Sequence, residues 1–147
     1  MIQRKQSIFL FLAFIASVVC LWFPIGSFEL AGMGKEPLLY NLACVDGTGA
    51  LSFRYCALFV LLSLSAILSF VSIFLFKNRK RQMTFCKCNL VLLVLWYAFL
   101  TYIIYVNENF HQTIMVCLPF VSAVFVWLAH RGILSDERLV RAADRIR

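Results

Sequence analysis

At 147 residues, 63 % of them hydrophobic and only 14 % charged, the chain has too little polar surface for a water-soluble domain, whose apolar share is about 45–50 %. Its net charge of +7 would suit a polyanion, but the basic residues sit at the ends of long apolar runs rather than on one folded face, which excludes nucleic acid as a partner. The expected solvent is a bilayer, and the expected fold is an all-α membrane protein, a single domain over residues 1–147 built as an antiparallel bundle of four transmembrane helices.

The chain begins with a basic head containing Arg4 and Lys5, and an apolar run over residues 7–25 follows. At ~1.5 Å rise per residue, such a run just crosses a hydrocarbon core of ~30 Å. A cleaved signal peptide has a similar outline, but its apolar part is usually ~7–15 residues long. Pro24 also stands where the residue three before a cleavage site at Gly26 must be small. Val19, preceding Cys20, argues in the same way against a lipid-modified cysteine. A retained helix is therefore expected. Ala13, Ala16, Ser17 and Cys20 share one of its faces and are small enough for a neighbouring helix to come close. Trp22 marks its outer interface, and Pro24 with Gly26 ends it.

Residues 26–54 form the one long connection, an outer loop. Within it, residues 28–30 and 38–42 are separated by Gly32, Gly34 and Pro37, a pattern that predicts a small β-hairpin acting as a lid. Asp46, Gly47, Thr48 and Gly49 predict a turn. Gly32, Gly34 and Lys35 lack the spacing of a phosphate-binding loop.

A second span is expected over residues 55–76. Its Ser65, Ser69 and Ser72 form a polar stripe suited to packing on another helix. The run Lys77, Asn78, Arg79, Lys80, Arg81 then opens a basic inner loop over residues 77–87. A third span over residues 88–106 and a fourth over 113–129 are joined by a short outer turn, with Pro119 expected to kink the fourth. Residues 130–147 read as a cytoplasmic tail. Ser135 would cap a short amphipathic helix there, with Leu139, Ala142, Ala143 and Ile146 on one face and Arg138, Arg141 and Arg145 on another.

Of the 14 Lys and Arg residues, all but Lys35 and Arg54 fall on one side of this four-span topology. That asymmetry places both termini and the 77–87 loop in the cytoplasm. The predicted partners follow: a bilayer with an anionic inner leaflet, and another membrane protein docked on an inner face made of Lys77, Arg79, Lys80, Arg81, Arg138, Arg141 and Arg145.

Catalytic chemistry has little to stand on. No ionisable residue falls in the middle of a span, which speaks against a proton-coupled pump or transporter. Glu108 and His111 lie three apart but lack further metal ligands nearby. Neither a catalytic residue, a metal nor a cofactor is expected. The six cysteines offer one opening. Cys86 and Cys88 fall on the reducing side, while Cys20, Cys44, Cys56 and Cys117 fall at the outer end, where Cys44 and Cys56 form the candidate disulfide. The same four thiols carry the alternative functional reading, a quinone- or thiol-redox or lipid-binding membrane protein, although no Cys-x-x-Cys pair is present.

Met1, Ile2, Gln3 and Arg4, with Gln6 and Ser7 running into a span closed by Phe23 and Pro24, resemble an uncharacterised family of small four-span membrane proteins of Gram-negative bacteria. The tail residues Asp136, Glu137, Arg138, Leu139, Val140 and Arg141, then Asp144, Arg145, Ile146 and Arg147, resemble that family's C-terminal signature. The resemblance implies a retained first helix and an inner-membrane location, and it carries no activity. The leading functional expectation is a non-enzymatic inner-membrane component that binds another membrane constituent.

Overall fold

The computed structural model describes residues 3–29, 36–46, 48–75, 78–107 and 109–144. Its described residues form four long helices, α1 (Gln3–Trp22), α2 (Ala57–Phe74), α3 (Arg79–Val106) and α4 (Cys117–Asp144). Five short strands accompany them: β1 (Gly26–Phe28), β2 (Leu38–Leu39), β3 (Cys44–Val45), β4 (Leu51–Ser52) and β5 (Phe110–Gln112). A 3-10 turn (Ile114–Val116) leads into α4.

Each helix packs on two others: α1 on α2 and α4, and α3 on the same two, so the four close into a ring. Their buried positions alternate in steps of three and four. The seam is Gln6, Leu10, Ala13, Ser17 and Cys20 on α1, and Leu58, Leu62, Ser65, Ser69 and Ser72 on α2. On α3 it runs through Gln82, Cys86, Asn89, Leu93, Trp96, Leu100 and Ile103, and on α4 through Ser122, Val126, Ala129, Ile133 and Asp136. A mean repeat of 3.5 keeps one stripe of each helix on its neighbours along its whole length.

The seam carries many small and polar side chains, while large apolar ones point outward. Phe11 and Ile15 on α1, Val60 and Ile67 on α2, Val91 and Val94 on α3, and Phe120 and Trp127 on α4 are all exposed. Water would not tolerate such a surface, whereas a bilayer requires it. Three stretches are long and apolar enough to cross a membrane, Ala57–Phe74, Lys80–Val106 and Ile114–Val140, and α1 supplies a shorter apolar stretch, Gln6–Trp22.

Polar side chains stitch the seam. The hydroxyls of Ser17 and Ser122 lie 3.0 Å apart, and both reach the Ala13 carbonyl, tying α1 to α4. Between α2 and α3, Ser65 donates to Asn89 Oδ1 at 2.5 Å, and Asn89 Nδ2 donates to Ser69 at 2.7 Å. One turn further in, Gln82 Nε2 donates to the Ser72 carbonyl at 3.0 Å. Apolar clusters fill the ring on either side of these bonds, one toward the sheet around Leu62, Leu93 and Trp96, the other toward the opposite end around Leu10, Cys86 and Val126.

Four features differ from the sequence-based expectation. The expected inner loop over 77–87 is helical from Arg79 onward, because nothing after Asn78 interrupts the helix and Lys and Arg are good helix formers. The tail is not a separate helix capped at Ser135: α4 runs unbroken to Asp144. Ile133 and Asp136 continue the seam of Val126 and Ala129, so contact with the neighbouring helices carries the helix onward. Pro119 is the third residue of α4, at the junction with the preceding 3-10 turn rather than in the middle of the helix, where the fixed φ of proline suits a helix start. Finally, the lid is larger than a hairpin.

That lid is an antiparallel sheet in the order β4-β3-β2-β1-β5. β1 pairs with β2 as the hairpin predicts, Gly26 opposite Leu39, but its other edge takes β5, from the connection between α3 and α4, with Phe28 opposite Phe110. The two connections at this end are thus one structure. At 28 residues each, α3 and α4 are about 42 Å long, some 10 Å more than a hydrocarbon core needs. The sheet holds their near ends together, so the surplus projects from the opposite end.

Candidate functional site

The sheet end is organised around Asn41, which is fully buried in the turn after β2. The cause lies in α1. The Cys20 carbonyl would take its helical hydrogen bond from the residue four further on, but that residue is Pro24, which has no N–H. Asn41 Nδ2 donates to this carbonyl at 2.7 Å, and Trp96 Nε1 of α3 donates back to Asn41 Oδ1 at 3.1 Å. One amide thus caps α1, satisfies the buried indole and locks the lid to two helices. Tyr97 stands edge-on to Trp96, ring centroids 5.0 Å apart, and donates from its hydroxyl to the Val116 carbonyl at 2.6 Å. Backbone bonds from Glu29 to Asn109 (2.9 Å) and from Thr113 to Ile25 (2.9 Å) complete the closure.

Beside this latch, the sheet overhangs a hollow of about 440 Å³. Leu21 and Trp22 from the end of α1, Tyr40 and Leu42 from the β2–β3 turn, Leu51 of β4 and Phe59 from the first turn of α2 line it, together with Ala43 and Val45. Among the described residues, no charged side chain and no cysteine is in this lining.

The four cysteines at the sheet end are divided. Cys20 and Cys44 are buried in the cluster toward the sheet, whereas Cys56 and Cys117 are exposed, and all four are free thiols. The candidate disulfide partners Cys44 and Cys56 stand on β3 and at the N-cap of α2 respectively, and no bond joins them. Burial pushes the Cys44 thiol above its ordinary pKa, and the nearby Asp46 carboxylate adds to the effect. Of the spaced pair Glu108 and His111, Glu108 lies outside the described residues. His111 instead sits on β5 with its Nε2 3.1 Å from Glu29 Oε1, an exposed pair across the β1–β5 edge. Among the described residues, no three His, Cys, Asp or Glu side chains come together as a metal site would require.

The opposite end carries the basic residues. Lys80, Arg81 and Lys87 on α3, and Arg131 and Arg138 on α4, are all exposed. Arg131 stacks over Trp127 with its guanidinium 5.4 Å from the ring centroid. Of the remaining members of the expected docking face, Lys77 and Arg145 lie outside the described residues, as do the side chains of Arg79 and Arg141. Asp136, expected in the first turn of a surface helix, is instead buried against α1, where Gln6 Nε2 donates to its Oδ2 at 2.6 Å. Gly132, one turn earlier, makes the space: a Cβ there would stand 3.1 Å from Gln6 Cγ. His130 Nε2 is buried with no hydrogen-bond partner among the described residues.

Asn41, Asn89 and Gln82 are the structurally decisive residues that the sequence reading passes over. Asn89 and Gln82 become visible once α3 is started at Arg79, since both then fall on the same three-four seam as Trp96. Asn41 carries only a local hint, a turn-forming residue between apolar neighbours.

The structure defines a helical protein with three helices long and apolar enough to span a membrane, and with a small sheet closing one end. The chain belongs to the family described as Domain of unknown function (DUF4293), whose model matches residues 2–146. A comparison with curated proteins found no match.

Proposed function

We propose that the protein is a multi-pass component of a bacterial inner membrane with both termini in the cytoplasm, and that it acts by docking another membrane protein rather than by catalysis. The observation that carries this reading is the separation of charge along the helices. Exposed Lys80, Arg81 and Arg138 stand on the surplus length of α3 and α4, at the end away from the sheet, with exposed Lys87 just inside it on α3 and Arg131 two turns before Arg138 on α4. Basic groups are retained on the cytoplasmic side, and each near an anionic leaflet adds about 1 kcal/mol of attraction. In this reading α1 is a fourth span. Its apolar stretch Gln6–Trp22 is near the short limit of ~17 residues, and Phe23 and Ile25 extend it.

The docking surface would be these cationic helix ends, with Leu139 and Val140 exposed beside Arg138 to supply apolar contact. Two experiments test the reading. A reporter active only outside the cytoplasm should be silent when fused after Arg81 and active near Gly47; the reverse pattern overturns the orientation. A membrane protein that co-purifies with the wild type should be lost from the K80E/R81E/R131E/R138E variant, provided that variant still inserts. Retention of every partner by an inserted variant would remove the docking role.

A further inference from the structure

The hollow beneath the sheet is unused by the docking role, and its chemistry is specific. Among the described residues its lining offers hydrocarbon almost throughout, and the only polar side-chain groups there are the Trp22 indole N–H and the Tyr40 hydroxyl. A charged or strongly polar ligand would lose its hydration there without compensation. Its volume of about 440 Å³ falls in the ~300–1,000 Å³ range of small-ligand sites. Its place is equally informative. It opens between the last turn of α1 and the first turn of α2, at the level where Trp and Tyr mark a membrane interface. The same two helices carry exposed Ile15 and Leu12, and Val60 and Leu64, along their outer faces. The hollow is therefore the head of a surface that lipid already covers when the helices span the membrane. Trp22 and Leu51 in its rim are 79 % and 61 % exposed, too much apolar surface to leave to water at a sheet edge.

We propose that this hollow is a lipid site: it holds one acyl chain of a phospholipid from the leaflet on the sheet side, with the Tyr40 and Trp22 polar groups at the head-group level. The inference goes beyond the docking role and rests only on the reading that the helices span the membrane. No covalent step is involved. The lid would bind the chain by taking all of its methylenes, the end included, out of the bilayer into an apolar cleft beside the head group.

The test uses the full chain reconstituted into vesicles of phosphatidylethanolamine and phosphatidylglycerol, with a phosphatidylcholine probe carrying a diazirine at the end of one acyl chain. After photolysis, peptide mass spectrometry should find label on the segment bearing Leu42 and Leu51, above the label on the outward-facing Val94 of α3. In the L42Q/L51Q variant, label in the hollow should fall by about tenfold while label at Val94 stays, since each unpaired polar group placed in the lining opposes the chain. If the double variant does not fold, Leu51→Gln alone should give about a threefold loss on the same reasoning. Equal label at the hollow and at Val94, or label unchanged by the substitutions, would overturn the site. So would cross-linking of the hollow to a second copy of the chain, or a quinone co-purifying in place of phospholipid. Absence of label at Val94 would instead refute the membrane-spanning reading itself, which keeps the two failures distinct.

Discussion

Replacing Asn41 with leucine should be the most damaging conservative change in the molecule. The side chain keeps nearly its volume, so packing is little altered, but two buried groups lose their partners at once. The Cys20 carbonyl loses its donor at 2.7 Å and cannot turn to its own helix, because Pro24 has no N–H to give. The Trp96 indole loses its acceptor at 3.1 Å in a residue that is fully buried. Each orphaned group costs about 1–3 kcal/mol, hence about 2–6 kcal/mol in total, against a stability of about 5–15 kcal/mol for an ordinary domain. At ~2–4 °C per kcal/mol, the melting temperature should fall by on the order of 10 °C. Thermal unfolding in detergent followed with a thiol-reactive dye suits the question, because Cys20 at the end of α1 and Cys44 within the lid are both buried and should become exposed when the lid lifts. Combining Asn41→Leu with Trp96→Phe should show a coupling of about 0.5–1.5 kcal/mol between the two sites. An unchanged melting temperature, with Cys20 and Cys44 as protected as in the wild type, would falsify the latch.

Gly26→Ala should separate β1 from β5, because the added Cβ would run into the Phe110 ring and stand 2.6 Å from the His111 carbonyl oxygen; a loss of about 1–3 kcal/mol is expected by thermal melting, with faster amide exchange at Glu29. Asn89→Leu should cost less than Asn41→Leu, about 1 kcal/mol in the same melt. Interhelical polar bonds in membranes average about 0.6 kcal/mol, and the freed Ser65 and Ser69 hydroxyls can turn to carbonyls of their own helix as Ser72 does to Leu68. Cys44 should alkylate more slowly than exposed Cys56 and Cys117 at any pH below its raised pKa. Because the folded thiol holds its proton where the unfolded thiol would ionise, its contribution to stability is level below the ordinary 9.0 and is lost as the pH rises beyond it, which pH-dependent melting checks. In denatured, non-reduced protein all six cysteines should alkylate; a shortfall of two would show a bridge between Cys44 and Cys56.

The helices and their apolar surfaces were legible because they rest on local properties. A run such as Ala57–Phe74 is apolar along its whole length, and no partner is needed to recognise it. The small face of Ala13, Ala16, Ser17 and Cys20 was legible for a similar reason, since close helix approach demands small side chains wherever the neighbour comes from, and all four are buried. The lid was half legible: β1 and β2 follow from local turn signals, but β5 reaches β1 from more than eighty positions along the chain. The charge run beginning at Lys77 was legible as charge and misleading as loop, because hydropathy reports where a helix leaves the apolar phase and is silent on whether it continues into water.

What the sequence determined by itself, then, was that the helices are apolar enough for a bilayer and on which end of the molecule charge collects, because hydrophobicity and charge are properties each residue carries wherever the chain folds. What only the tertiary structure decided was which polar residues are buried and whom they bind. In a membrane the buried seam is not more apolar than the lipid-facing surface, so the pattern that reveals a soluble core is missing. Asn41, Asn89 and Gln6 acquire their roles from acceptors and donors on other elements, at Cys20, Ser65 and Asp136, and those pairings exist only after the helices have met.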